Sequence, residues 1–89
     1  MEIKGVNILE EKLKKYNGKD AIISISHKLY GEQKIKCKLD YIFDECRVGF
    51  KSKDGQEIFV YRNKLGFSIK DDIYFADDIM EIKIKLYEQ

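Results

Sequence analysis

The chain has 89 residues, 44% hydrophobic and 37% charged, with 17 basic and 16 acidic side chains and a net charge of +1. That length makes a single small domain, residues 1–89, with a thin core. The composition excludes a disordered chain, and the near-neutral balance excludes a global field that would draw the protein onto nucleic acid or an anionic membrane.

At the N-terminus, charges interrupt the only apolar stretch, which excludes a signal-peptide core. No run approaches the roughly 18 apolar residues of a membrane helix, so a soluble chain with no membrane partner is expected. Cys37 and Cys46 are too far apart in sequence for a close metal-type pair and too few for a secreted framework. Both are expected as buried thiols in a reducing cytoplasm.

Asn7 and Glu10 form a capping-box-like pair. Val6, Leu9, Leu13 and Tyr16 then mark one face of a helix over about residues 8–16, closed by Asn17-Gly18. The period changes to alternation over residues 20–28, where Ala21, Ile23, Ile25 and His27 share a face. After a turn at Leu29–Glu32 a second strand, 33–41, sets Ile35, Cys37, Leu39 and Tyr41 inward against Lys34, Lys36, Lys38 and Asp40.

A third strand over 45–52 carries Cys46, Val48 and Phe50 inward. Asp54-Gly55 signals a tight hairpin into a fourth strand, 57–63, with Phe50 opposite Phe59 and Val48 opposite Tyr61. Ile58-Phe59-Val60-Tyr61 is apolar on both faces, which fits either a central covered strand or a strand at a subunit interface, with Ile58 and Val60 as the candidate oligomer interface. Residues 64–76 alternate weakly and suit a further hairpin. A last strand over 79–87 alternates Met80, Ile82, Ile84 and Leu86 with Glu81, Lys83 and Lys85. The expected fold is mainly β: a short N-terminal helix, then about five antiparallel strands in a small, strongly bent barrel of Sm-like or Src-homology-3-like form.

Some of these residues resemble the Sm-like family, which includes the eukaryotic Sm proteins and bacterial Sm-like RNA chaperones. Gly18-Lys19 is similar to the Gly-Lys that opens the family's first strand, and Phe43-Asp44 with Val48 and Phe50 to its Phe-Asp and third strand. Gly55 with Val60-Tyr61-Arg62 is similar to the Gly and Val-Tyr-Lys of the bacterial branch, and Asp78–Ile82 to its last strand. The chain departs from the family where Lys36-Cys37-Lys38 replaces the second-strand glycine and where Asn63 replaces an RNA-contacting histidine. The resemblance implies an RNA-binding ring.

Catalytic chemistry finds no support. Six scattered glycines contain no nucleotide-binding loop, and one histidine with two separated cysteines cannot close a zinc site. His27 lacks an orienting third group to serve as base for Cys37 or Cys46. Asp71-Asp72 and Asp77-Asp78 match no calcium loop and read as solvated turn carboxylates. No enzyme activity, cofactor or metal is expected.

Joining the second and third strands through Tyr41–Asp44 places Lys34 opposite Lys51, Lys38 opposite Arg47 and Arg47 opposite Arg62, with Lys36 beside Gly49. Like charges across strands destabilise a sheet, so this stripe suggests an anionic ligand; a lysine-decorated solvent face is the plain alternative. The same pairing sets Cys37 and Cys46 diagonally, too distant for easy bridging. Residues 1–63 are net basic and 64–89 net acidic, a polarity compatible with self-contact. The reading is a non-enzymatic module that binds protein or assembles with itself. The alternative is an Sm-like RNA-binding ring using the basic strand face.

Overall fold

A computed structural model describes residues 6–70 and 72–87 of the chain. Helix α1 spans Val6–Tyr16, and the strands are β1 (Asp20–His27), β2 (Gly31–Lys38), β3 (Tyr41–Phe43), β4 (Arg47–Lys51), β5 (Glu57–Tyr61), β6 (Gly66–Ser68), β7 (Ile73–Ala76) and β8 (Met80–Leu86). The fold is mainly β with one short N-terminal helix. The strands form two antiparallel sheets, ordered β2-β1-β8-β7-β6 and β3-β4-β5, and no closed barrel.

α1 begins at Val6, so Asn7 lies within its first turn and is not its cap. Its C-terminus ends as the Asn-Gly pair requires: Gly18 takes φ +80, a left-handed conformation open to glycine at no steric cost. The N–H of Lys19 then bonds the Tyr16 carbonyl at 3.0 Å. Leu9, Leu13 and Tyr16 are buried, and the helix packs against β3 and β7, one strand from each sheet. At 11 residues, about three turns, it depends on that packing for its stability.

The core lies between the sheets and the helix. Ala21, Ile23 and Ile25 of β1, Ile73 and Phe75 of β7, and Ile82 and Ile84 of β8 meet Val48 and Phe50 of β4 and Val60 of β5. β2 and β3 are almost continuous, interrupted at Leu39-Asp40, so one chain segment supplies an edge to each sheet. Residues 64–76 contain the further hairpin, with Phe67 opposite Phe75.

Two registers differ from the sequence expectation. Tyr41–Phe43 is strand, and the turn falls at Glu45-Cys46, where the Asp44 carboxylate accepts the N–H groups of Cys46 and Arg47, both at 2.8 Å. β4 therefore pairs with β3, and β2 pairs with β1 instead. At the β4–β5 hairpin, Ser52 N–H bonds the Gln56 carbonyl at 2.9 Å and Gly55 N–H the Ser52 carbonyl at 3.0 Å. The loop is thus Lys53-Asp54-Gly55, with Gly55 at φ +82 as its last residue. That extra loop residue slips the register by one, pairing Phe50 with Ile58 and Val48 with Val60. A one-residue slip sends every side chain to the other face.

Candidate functional site

The slip at the β4–β5 hairpin relocates the candidate interface. Val60 is fully enclosed within the monomer and Ile58 packs against the core, so their side chains cannot form the exposed interface expected for them. Phe59 and Tyr61 point outward instead, Tyr61 with 55% of its surface exposed.

The outer face of the three-stranded sheet has three cross-strand rows: Asp44, Arg47 and Tyr61; Ile42, Gly49 and Phe59; Asp40, Lys51 and Glu57. Ile42 is buried here, yet it does not belong to the main core cluster. Gly49 is required in the middle row. A Cβ there would collide with the Ile58 carbonyl and come within 2.7 Å of the Phe59 Cβ.

Arg47 reaches along this face. Its guanidinium lies 5.1 Å from the Phe59 ring centre and bonds Asp44 Oδ2 at 2.9–3.0 Å and Glu57 Oε1 at 2.6 Å. Phe59 also meets Tyr61 edge-on at 5.6 Å. Hydrogen bonds from the Cys46 N–H and then from the Arg47 side chain hold the Asp44 carboxyl below the ordinary aspartate range.

β5 is also an open edge. The bonds Arg62 N–H to Cys46 C=O and Ser52 N–H to Gln56 C=O bracket the ladder. Alternation between them turns the backbone groups of residues 58 and 60 toward β4 and those of residues 57, 59 and 61 away. Tyr61 N–H is taken by Asp77 Oδ2 at 3.3 Å. The N–H and C=O of Glu57 and Phe59 have no backbone partner among the described residues.

The other edges are protected differently. β3 has its Tyr41 N–H bonded by Asn17 Oδ1 at 3.1 Å, and β6 has only three residues. β2, eight residues long, directs the backbone of Glu32, Lys34, Lys36 and Lys38 to its open side. A run of edge lysines is a common guard against unwanted strand pairing.

The expected basic stripe divides. Lys34, Lys36 and Lys38 face Ser24, Ile22 and Asp20 across β1, whereas Arg47 and Lys51 face Tyr61 and Glu57 in the other sheet. Arg47 is bound by two carboxylates, and Arg62 donates to the Asp44 carbonyl at 3.0 Å over the Phe43 ring. The larger sheet has its own basic rows: Lys34–Ser24–Lys83 and Lys36–Ile22–Lys85. Sequence alternation marks Lys83 and Lys85 as outward, but nothing in it says that β8 lies beside β1. Lys36 sits 4.4 Å over Tyr87; Lys34, Lys83 and Lys85 have no ion pair among the described residues.

A second apolar exposure is at the β1–β2 turn, where Leu29 and Tyr30 are 79% and 84% exposed near Ile79. Its N–H groups are already satisfied: His27 Nδ1 accepts those of Leu29 and Tyr30 at 3.0 and 3.3 Å, and Lys28 N–H bonds the Ile79 carbonyl.

Cys46 is exposed, contrary to the expected buried thiol, and Cys37 is buried with its thiol pKa raised by burial. Asp77 caps the β7–β8 turn by accepting from Ile79 and Met80 N–H at 2.8 and 2.9 Å; Asp71 lies outside the described residues. No His/Cys/Asp/Glu group among the described residues is arranged to hold a metal, and no helix there is long and apolar enough to cross a membrane. Comparison with protein-family models, curated proteins and solved structures found no match.

Proposed function

We propose that the protein is a non-enzymatic binding module whose docking site is the outer face and open edge of β5. The observation that carries this is the coincidence of the outward side chains Phe59 and Tyr61 with backbone groups on Glu57 and Phe59 that have no backbone partner among the described residues. An incoming strand would gain main-chain hydrogen bonds from the edge and side-chain contact from the aromatic face. The Leu29–Tyr30 turn offers apolar surface, but its N–H groups are already taken. Two free thiols support a reducing compartment such as the cytoplasm.

The test is a photo-activated cross-linker placed at position 61 or, separately, at position 29 of the full chain in living cells. Protein adducts are expected at 61 and in excess of those at 29. Absence of protein adducts at 61, or their confinement to 29, would refute this reading.

A second reading follows the Sm-like resemblance, in which a nucleic-acid backbone is the ligand. Its support is the pair of lysine rows flanking Ser24 and Ile22 on the larger sheet, not the stripe expected from sequence. Such rows suit a phosphate chain.

A further inference from the structure

We infer that the partner on the β5 edge is a second copy of this chain, joined antiparallel about a two-fold axis at Phe59. This rests on β5 being the docking site and adds the identity of its occupant.

The bonding pattern restricts the register. Residues 57, 59 and 61 all direct their backbone groups outward, so with Phe59 facing Phe59 the two copies exchange both Phe59 bonds, and each Glu57 N–H reaches the Tyr61 carbonyl of the other copy while Asp77 keeps the Tyr61 N–H. The interface is then isologous, each contact occurring twice. The two middle rows join into one apolar band, Ile42–Gly49–Phe59 running into its symmetric counterpart.

Charge distribution favours this self-pairing at β5 and opposes it at β2. The only charged residue on β5 is Glu57, and the two-fold register sets it against a tyrosine. On β2, an antiparallel pair centred at Lys36 would put Lys36 on Lys36 and Lys34 on Lys38, and centring at Ile35 would put Lys34 on Lys36. Like charges directly opposite destabilise a sheet. A two-fold pair also consumes both β5 edges, so the product is a closed dimer and not a ring.

Sedimentation of the full chain from low to high micromolar concentration tests this, with substitutions at the exposed Tyr61. The wild type is expected to dimerise. Tyr61→Glu would face Glu57 of the other copy at two symmetric places and weaken the dimer by roughly tenfold or more. Tyr61→Lys would face the same carboxylates and leave the dimer unchanged or tighter. Thermal unfolding of both variants as dilute monomers confirms that each is folded.

A wild-type monomer across this range overturns the inference, as does a ring, or a dimer that responds equally to both substitutions. Failure here is separable from failure of the docking site. In-cell adducts at position 61 joining this chain to a different protein would leave that site standing and remove the second copy from it.

Discussion

Gly49 lies directly opposite Phe59 on the outer face of the smaller sheet, with no room for a Cβ between them. The missing side chain lets the Phe59 ring and the Arg47 guanidinium come together over the sheet, and Arg47 in turn joins Asp44 to Glu57. A strand glycine ordinarily weakens a sheet. Here it shapes the surface that we assign to docking.

Gly49→Ala therefore forces the backbone at Ile58 to move. The expected loss is about 1–3 kcal/mol, the usual range for overpacking a tight site. Urea denaturation measures it, and an unchanged midpoint would show that β4 and β5 separate more easily than this geometry implies.

The register of β5 predicts opposite outcomes at adjacent positions. Val60→Lys buries an unpaired ammonium in the core and costs more than about 4 kcal/mol, enough to unfold a domain of this size. Phe59→Lys removes only half-buried contact, costs about 1–2 kcal/mol and leaves a folded chain. Circular dichroism and thermal melts of the two variants decide between this register and its one-residue neighbour.

Asp77 links acid stability to the β5 edge. Burial raises its pKa, but the N–H groups of Ile79, Met80 and Tyr61 outweigh that and leave it below the ordinary value of 3.8. A carboxylate whose pKa is depressed on folding stabilises the native state above its unfolded pKa, and this is lost as pH falls through the folded value. Asp77→Asn should therefore be less stable than wild type at pH 7, with the difference shrinking below about pH 4. A difference independent of pH would contradict that assignment.

If the lysine rows engage a phosphate backbone, short single-stranded RNA will bind with a steep salt dependence. With about 0.7 unit per neutralised phosphate, four lysines give a logarithmic slope near 3. Lys34→Glu with Lys83→Glu should abolish binding while sparing the β5 edge. No binding at low salt would dispose of the nucleic-acid reading.

Much of the fold is legible from side-chain period. The α1 stripe of Leu9, Leu13 and Tyr16, the alternation of Ala21, Ile23 and Ile25, and that of Ile82 and Ile84 locate buried faces without reference to any partner. Period does not say which strands are neighbours, so the approach of Lys83 and Lys85 to Lys34 and Lys36 across β1 was not legible. Nor does Asp54-Gly55 say whether Gly55 ends a two-residue or a three-residue loop, since both accept glycine at positive φ. That single ambiguity exchanged Ile58 and Val60 for Phe59 and Tyr61 as the outward pair. Similarly, the turn expected at Tyr41–Asp44 falls at Glu45-Cys46, because Tyr41–Phe43 pairs as a strand and the Asp44 carboxylate accepts the N–H groups of Cys46 and Arg47.

Amide hydrogen exchange, followed residue by residue from dilute monomer to associated protein, tests the docking edge most directly. The Phe59 and Glu57 amides should exchange freely in the monomer and become protected on association, while the Lys34 and Lys36 amides on the guarded β2 edge stay fast throughout. Slow exchange at Phe59 in the dilute monomer, or association that leaves it fast, would contradict the assignment of β5 as the docking edge.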